Sequence, residues 1–263
     1  MTALHIARRK LATFATTVRA CSNWPAITRA KFDSSSTINA LQFRSGLQLR
    51  PLAPLNATWS EVFEPAIADV YGVRNSSADL IVDVGANIGA FSCLAAHTHP
   101  SAVVHAFEPS SKHADLLEVN VTLNHLPNVI LHRQAVTKDG REVIFSDLGT
   151  GGASGIFLHE GGRSTALQSI SLDCVDLSAA RSLFVKLDCE GAEGEIIEWL
   201  CESLSKLPPQ ITLACEYHHW CPRPLEQLLE TLRSHGFRAE HRTPFDESYI
   251  FAFRREGSPG STL

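Results

Sequence analysis

The sequence lacks several features that would assign it to a specialised class of protein. It has no stretch of about 18 consecutive apolar residues, the length that a membrane-spanning helix needs, which predicts a soluble chain without a transmembrane segment. It also lacks the compositional bias of disordered chains, since its 263 residues include only 16 glycines and 13 prolines and carry a net charge of -5. One main folded domain is therefore expected.

Acidic residues are absent from the first 32 positions, which hold six lysines and arginines. This segment is rich in alanine, threonine and serine, a composition typical of an organellar presequence. A basic helical arm that lies on the domain or on a partner is the alternative, and residues 1–50 are predicted to be an N-terminal extension of one kind or the other. The protein is expected to be cytoplasmic, or mitochondrial or in another organelle if the extension is a presequence. The mildly acidic remainder of the chain predicts no binding to nucleic acid.

The seven cysteines are odd in number and lie largely in apolar runs, which predicts buried reduced thiols. Cys215, His218, His219 and Cys221 are close in sequence, but they are crowded into seven residues and no second pair stands elsewhere. This spacing is unlike that of a structural zinc site, and we predict no metal.

From residue 80 onward, short apolar runs alternate with amphipathic segments. This alternation predicts an α/β fold, a doubly wound and mostly parallel sheet covered by helices. The predicted strands are 80–84, 102–107, 129–136, 183–187 and 211–215, and the predicted helices are 88–97, 111–125, 192–204 and 225–235. Two alternating stretches at 238–243 and 249–254 predict a C-terminal antiparallel hairpin at the end of the sheet.

Residues 138–172 interrupt this alternation. Two strand-like stretches, "DGREVIFSD" and "STALQSISLD", flank a glycine-rich segment at 149–162. An insertion near the ends of core strands is often a lid or a substrate loop, and a disordered excursion is the alternative. Residues 257–263 are predicted to be a flexible tail.

The first predicted strand runs into "VDVGANIGAF", in which Asp83, Gly85, Asn87 and Gly89 separate an apolar strand from an apolar helix. Glycines at the carboxyl end of a parallel strand let the backbone pass close to a nucleotide-type ligand. The middle glycine of the dinucleotide fingerprint G-x-G-x-x-G is missing, and Asp83 would repel a phosphate while favouring a cation. S-Adenosylmethionine, which has a sulfonium and no phosphate, fits this motif better than NAD does.

Two more candidate cofactor residues end the next two strands. Glu108 stands where a carboxylate can accept both ribose hydroxyls of an adenosine-type ligand, although it could also only cap the following helix. Ala135 ends the third strand and is small enough to lie against an adenine face.

Charged residues also end the fourth and fifth strands. Lys186 and Asp188 share one face of a strand that should be buried, and Glu190 follows directly. Burying these charges without a function would be costly, whereas stabilisation of acids by a helix dipole is the structural alternative. His218 follows the fifth strand, where it could take a proton from a hydroxyl near neutral pH or lie solvated in a loop.

These motifs resemble the FkbM-type S-adenosylmethionine-dependent methyltransferases. "VDVGANIGAF", "AFEPSSKHADLLEVNVTLN", "NVILHRQAV", "VKLDCEGAEGEIIEWL" and "CEYH" occur in the order of that family, and "KLDCEGAE" is the most specific of them. The resemblance covers about residues 58–218 and implies a Rossmann-like class I methyltransferase domain over 51–256. It implies a cofactor site lined by Asp83, Gly85, Asn87, Gly89 and Glu108. Asn120 and Asn124 match asparagines of the family, and we expect them to be structural.

The resemblance implies methyl transfer to a hydroxyl of a small molecule or glycan. We expect Asp188 and Glu190 to position the acceptor, His218 or Asp188 to take its proton, and Lys186 to steady the acidic group. An NAD-dependent oxidoreductase and a non-catalytic binding protein with a methyltransferase-like fold are the alternatives. The sequence specifies neither the acceptor nor the oligomeric state.

Overall fold

The structure is a computed structural model that describes residues 3–147, 154–156, 163–177, 180–243 and 247–255. Its α-helices are α1 (Ala3–Ala20), α2 (Trp24–Phe32), α3 (Ser60–Val62), α4 (Ala90–Thr98), α5 (Ser111–Leu123), α6 (Glu193–Glu202) and α7 (Leu225–Ser234). Its strands are β1 (Leu41–Gln42), β2 (Gln48–Leu49), β3 (Leu80–Val84), β4 (Val103–Phe107), β5 (Val129–His132), β6 (Glu142–Asp147), β7 (Ser154–Gly155), β8 (Arg163–Gln168), β9 (Ser182–Leu187), β10 (Gln210–Glu216), β11 (Arg238–Arg242) and β12 (Tyr249–Arg255).

Seven strands form the central sheet, in the order β11-β12-β10-β9-β3-β4-β5. The five strands from β10 to β5 pair in parallel, and β12 lies antiparallel between β10 and β11. The α/β sheet and the antiparallel hairpin predicted from sequence are therefore confirmed. Strand β5 ends four residues before its predicted end, and Val136 instead makes an isolated parallel bridge with Ile170.

Helix α4 is enclosed by other elements on all sides, which explains why its residues from Ala90 to Ala96 are apolar except for Ser92. Every residue from Ala90 to Ala96 is buried, as expected for a helix enclosed by other elements. The N-terminal segment supplies part of that cover, since Cys21, Ile27 and Leu41 belong to the same buried cluster as the helix. The structure thus places a helical arm on the domain, while the boundary at residue 50 and a presequence function remain predictions.

The asparagines of α5 hold the N-terminal segment through backbone hydrogen bonds. Asn120 accepts from the Arg50 N–H (2.7 Å) and donates to the carbonyls of Arg50 (3.1 Å) and Ile88 (2.9 Å). Asn124 exchanges a similar pair of hydrogen bonds with Gln48, at 2.7 and 2.6 Å. Each side-chain amide thereby satisfies a backbone N–H and a backbone carbonyl, as a neighbouring strand would. This agrees with the structural role expected for both residues.

The insertion forms a small antiparallel sheet of its own, in the order β7-β6-β8. Strands β6 and β8 correspond to the two strand-like stretches predicted above. They pair with each other from Glu142 with Gln168 to Asp147 with Arg163. Most of the glycine-rich segment, and the predicted tail, lie outside the described residues. In the part of the chain that is described, no helix has the length and apolar character needed to cross a bilayer.

Replacing Asn120 by alanine is expected to destabilise the fold, because three backbone groups, one of them fully buried, lose their hydrogen-bond partner. Asn120→Ala should lower the free energy of unfolding by about 1–3 kcal/mol. Asn75→Ala, at an exposed asparagine, is the matched control and should change it by less than about 0.5 kcal/mol. Urea denaturation of both variants measures the difference, and equal midpoints would contradict the assigned role of Asn120.

Candidate active site

The candidate site is a cavity of about 340 Å³ at the carboxyl ends of the parallel strands. It lies where the strand order reverses between β3 and β9, the position at which open α/β sheets bind ligands. Of the ten site residues predicted from sequence, those that line the cavity are Gly85, Asn87, Glu108, Ala135, Lys186, Asp188, Glu190 and His218. Asp83 and Gly89 do not line it.

Asp83 lies beneath the cavity in a buried ion pair. It is in register with Lys186 across β3 and β9, and its Oδ1 lies 3.1 Å from the Lys186 Nζ. Ser92 donates a hydrogen bond to Oδ2 (2.5 Å), and the carboxylate is fully buried. The negative charge expected to face the cofactor is therefore compensated inside the protein.

Lys186 ties the glycine turn to β9. Its Nζ donates to the Gly85 carbonyl (2.7 Å) and lies 3.4 Å from Asp188 Oδ2. Burial alone would lower the pKa of Lys186, but attraction by Asp83 and Asp188 outweighs burial and raises it above its usual value. Lys186 stays charged, and its contacts hold the floor of the cavity together.

The two motif glycines serve different purposes. Gly85 has φ of 75°, and a Cβ there would lie 1.8 Å from the carbonyl oxygen of Asp188, so the approach of the two strand ends requires glycine. Gly89 has φ of 80°, and a Cβ there would lie 2.7 Å from the Leu117 side chain. Gly89 thus allows α4 to pack against α5, which explains its place outside the cavity.

Glu108 is anchored at the start of α5 and also faces the cavity. Its carboxylate accepts hydrogen bonds from the N–H groups of Asn87 and Ser110, both at 2.8 Å. Burial raises the pKa of Glu108 to about 7, with these two donors acting in the opposite direction. Glu108 therefore both accepts a hydrogen bond at the start of α5 and lines the cavity, so its position is compatible with both interpretations made from sequence. Ala135 lies on the neighbouring wall.

His218 is surrounded by carboxylates. Its Nδ1 lies 2.8 Å from Glu193 Oε1, and its Nε2 lies 3.4 Å from Glu190, 3.8 Å from Asp188 and 3.9 Å from Glu216. Burial would lower the pKa of His218, but the carboxylates outweigh burial and raise it to about 10. The imidazole is therefore protonated at neutral pH, so the expectation that His218 takes a proton from the acceptor does not fit this structure.

Two tyrosines orient the carboxylates of this cluster. The Tyr71 hydroxyl lies 3.0 Å from Asp188 Oδ2 and 3.1 Å from Glu216 Oε2, and the Tyr249 hydroxyl lies 2.7 Å from Glu64 and 3.2 Å from Glu216. Burial raises the pKa of Glu216 to about 8. Burial acts in the same direction on Asp188, but Lys186 and His218 outweigh it and lower the pKa of that carboxyl. Asp188 is accordingly ionised.

Sequence reasoning missed the cavity residues that come from the hairpin and from residues 51–79, the lead-in segment that precedes β3. They include Glu61, Glu64, Tyr71 and Glu247. No local motif marks these residues, although Glu61 and Glu64 are spaced to share one side of a helix. Their position depends on how the lead-in packs over the strand ends.

The cavity is strongly acidic, which separates the two candidate cofactors. Its lining includes seven carboxylates, those of Glu61, Glu64, Glu108, Asp188, Glu190, Glu216 and Glu247, against one lysine and two histidines. Such a lining would repel the diphosphate of NAD and would attract a sulfonium. Gly85, Glu108 and Ala135 line this cavity and could hold parts of S-adenosylmethionine.

Comparisons of the sequence with known proteins identify a methyltransferase family. The chain matches the model of the methyltransferase FkbM domain over residues 83–239. The 31-O-demethyl-FK506 methyltransferase FkbM of Streptomyces tacrolimicus is 42% identical over 52 residues, which is 20% of each chain. Methyltransferase sdnD of Sordaria araneosa is 26% identical over 210 residues, covering 66% of this chain and 78% of that protein. The solved structure of M. jannaschii TYW2 in complex with AdoMet is 15% identical, covers 83% of this chain and 88% of that one, and gives a TM-score of 0.44.

The family match spans more than half of the chain and contains all ten predicted site residues. The motifs, the strand order and the acidic cavity at the switch point support the same assignment. With the family, the cofactor predicted from sequence is confirmed, and an NAD-dependent oxidoreductase is not supported. The chain belongs to the FkbM family of S-adenosylmethionine-dependent methyltransferases.

Proposed function

We propose that this methyltransferase acts on a hydroxyl oxygen of a small molecule or glycan. The observation that carries the proposal is the ionised carboxylate of Asp188. Asp188 lines the cavity, its Oδ2 is held by Tyr71 and Lys186, and its Oδ1 makes no hydrogen bond within the described residues and lies 3.8 Å from His218 Nε2. A hydroxyl must lose its proton as it is methylated, and a fixed carboxylate can orient that hydroxyl and accept the proton.

The charge of the cavity supports an uncharged acceptor over an acidic one. A phosphate or carboxylate acceptor would have to approach the ionised carboxylate of Asp188 against its repulsion. The relative from Streptomyces tacrolimicus is named for 31-O-demethyl-FK506, whose methylation is on oxygen. Both points favour O-methylation.

When bound, S-adenosylmethionine supplies an electrophilic methyl group on a positively charged sulfur. Glu108 would accept hydrogen bonds from the ribose hydroxyls, and the small side chain of Ala135 would leave room for the adenine. Asp188 and Glu190 would hold the acceptor at the other end of the cavity. His218, as an imidazolium, would keep these two carboxylates in place.

The insertion reaches the acceptor end of the cavity. Gly155 and Ile156 are lining residues, and a Cβ on Gly155 would lie 2.7 Å from the Cβ of Glu190. This contact supports a function of the insertion as a substrate loop.

A methyl-transfer assay tests the proposal directly. The enzyme is incubated with S-adenosylmethionine that carries a deuterated methyl group and with 31-O-demethyl-FK506, a panel of hydroxylated glycosides, or matched amines. Mass spectrometry and NMR are expected to show a deuterated methyl ether. Methylation only of the amines would contradict the proposal, and S-adenosylhomocysteine binding without any turnover would favour the non-catalytic alternative.

Cofactor affinity is expected to depend on pH through Glu108. Because the pKa of Glu108 is raised to about 7, protonation below that pH removes the acceptor that the ribose hydroxyls need. The affinity for S-adenosylhomocysteine should be highest above pH 7 and should fall by up to about tenfold per unit below it. Glu108→Gln should weaken binding about 10- to 100-fold and abolish this pH dependence. Calorimetry measures both effects, Glu118→Gln at an exposed site is the control, and an unchanged profile in Glu108→Gln would refute the assignment.

Asp188→Asn is expected to impair turnover far more than cofactor binding. The amide cannot accept a proton, so kcat with the identified acceptor should fall about 10²- to 10⁴-fold. The dissociation constant for S-adenosylhomocysteine should change by less than about threefold, since Glu108 is unaffected. Asp115→Asn, at a carboxylate with an exposed side chain, is the control. Full turnover in Asp188→Asn would show that Asp188 is not the proton acceptor.

A further inference from the structure

Three carboxylates turn one oxygen each toward the same imidazole nitrogen. Glu190 Oε2, Asp188 Oδ1 and Glu216 Oε1 lie 3.4, 3.8 and 3.9 Å from His218 Nε2. None of these contacts is a hydrogen bond, and Nε2 makes no other hydrogen bond among the described residues. One ligand atom from each of Asp188, Glu190 and His218 lies within 4.8 Å of the others.

These separations are close to those of atoms that share a cation. Ligands that lie about 2.1 Å from a divalent ion are roughly 3.0–3.4 Å apart in octahedral and tetrahedral sites. The spacing around Nε2 is slightly wider, and small side-chain rotations would bring it into that range.

The carboxylates are held by the oxygens that do not face the imidazole. Tyr71 and Lys186 bind Asp188 through Oδ2, and Tyr71 and Tyr249 lie within hydrogen-bond distance of Glu216 Oε2. Asp188 Oδ1 and Glu216 Oε1 are left facing inward. Ligand atoms that are fixed in this way before binding are typical of a built metal site.

His218 has the surroundings of a metal ligand. It is only 9% exposed, and its Nδ1 is held at 2.8 Å by Glu193, which is fully buried. Glu193 is itself held by the N–H groups of Cys189 and Gly191. Metal-ligating histidines almost always donate their second nitrogen to such a group, which orients the free nitrogen toward the ion.

The Glu190 carboxylate is held less completely than its neighbours in the cluster. Its Oε2 is buried and has no hydrogen-bond donor within the described part of the chain, and it contacts His218 Nε2 only as an ion pair at 3.4 Å. Its backbone has φ of 59°, a conformation that residues other than glycine rarely adopt and that often marks functional sites. A cation would satisfy this oxygen.

From this geometry we propose that Asp188, Glu190 and His218 bind one divalent cation, which takes the place of the proton on His218 Nε2, with Glu216 as a further ligand. The mixture of carboxylates with one imidazole suits a first-row ion such as Mn²⁺. The proposal departs from the absence of metal expected from sequence, where only the cysteine and histidine spacing was considered. The catalytic use of the cation rests on the proposed function, because a cation at the acceptor end of the cavity would lower the pKa of a bound hydroxyl.

Manganese binding to the purified, chelator-treated protein tests the proposal without acceptor or cofactor. Electron paramagnetic resonance is expected to show one Mn²⁺ per chain, and pulsed spectra should show coupling to one histidine nitrogen. His218→Ala should remove that coupling and weaken binding at least tenfold, and Glu190→Gln should weaken it by a similar factor. Glu108→Gln, at a carboxylate of the same cavity outside the cluster, should bind Mn²⁺ like the wild type.

The outcomes separate this proposal from the proposed function. No saturable Mn²⁺ binding by the wild type, or equal weakening in Glu108→Gln and His218→Ala, would overturn the metal site. Binding of S-adenosylhomocysteine by His218→Ala and Glu190→Gln checks that both variants are folded. Full O-methylation in the presence of EDTA would overturn the use of the metal while leaving the proposed function standing. Specific Mn²⁺ binding in an enzyme that methylates only amines would support the metal site and overturn the proposed function.

Discussion

The buried ion pair between Asp83 and Lys186 is the interaction on which the rest of the site depends. It joins β3 and β9 at the switch point of the sheet, where both partners are almost fully shielded from water. A buried pair of this kind is stable only when its remaining donors and acceptors are satisfied, here by Ser92 and the Gly85 carbonyl. Losing either charge would leave the other uncompensated, at a cost of about 3–5 kcal/mol. The turn that faces the cofactor is thus set by the pair beneath it.

Above this pair, the cavity gathers more negative charge than its own residues neutralise. The raised pKa values of Glu108, Glu190 and Glu216, about 7, 7 and 8, show the cost of burying carboxylates next to one another. An excess of this kind is relieved by binding positive charge. The sulfonium of the cofactor and the proposed divalent cation would both relieve it within the same cavity, which links the cofactor and the metal proposal to a single electrostatic property.

Predictions from local signals were the most accurate. The apolar runs located the central strands, and β3 begins and ends at its predicted residues. The structure places Gly85 and Glu108 in the cavity lining, where the motifs after β3 and β4 predict them. It places Asp83 and Gly89 outside the lining and surrounds His218 with carboxylates. Each of these depends on a partner far away in sequence, namely Lys186, Leu117 and Glu193.

The sequence by itself determined the α/β sheet, the family and the cofactor, because periodicity and short motifs are properties of neighbouring residues. Only the tertiary structure decided which charges face the cavity and which compensate one another. It also brought Tyr71 from the lead-in segment and Tyr249 from the hairpin onto the acceptor-end carboxylates. The protonation of His218 follows first from Glu193 at the start of α6 and then from Asp188 and Glu190 after β9, which together outweigh the effect of burial. Ionisation depends on distances in space, and no pattern along the chain specifies those distances.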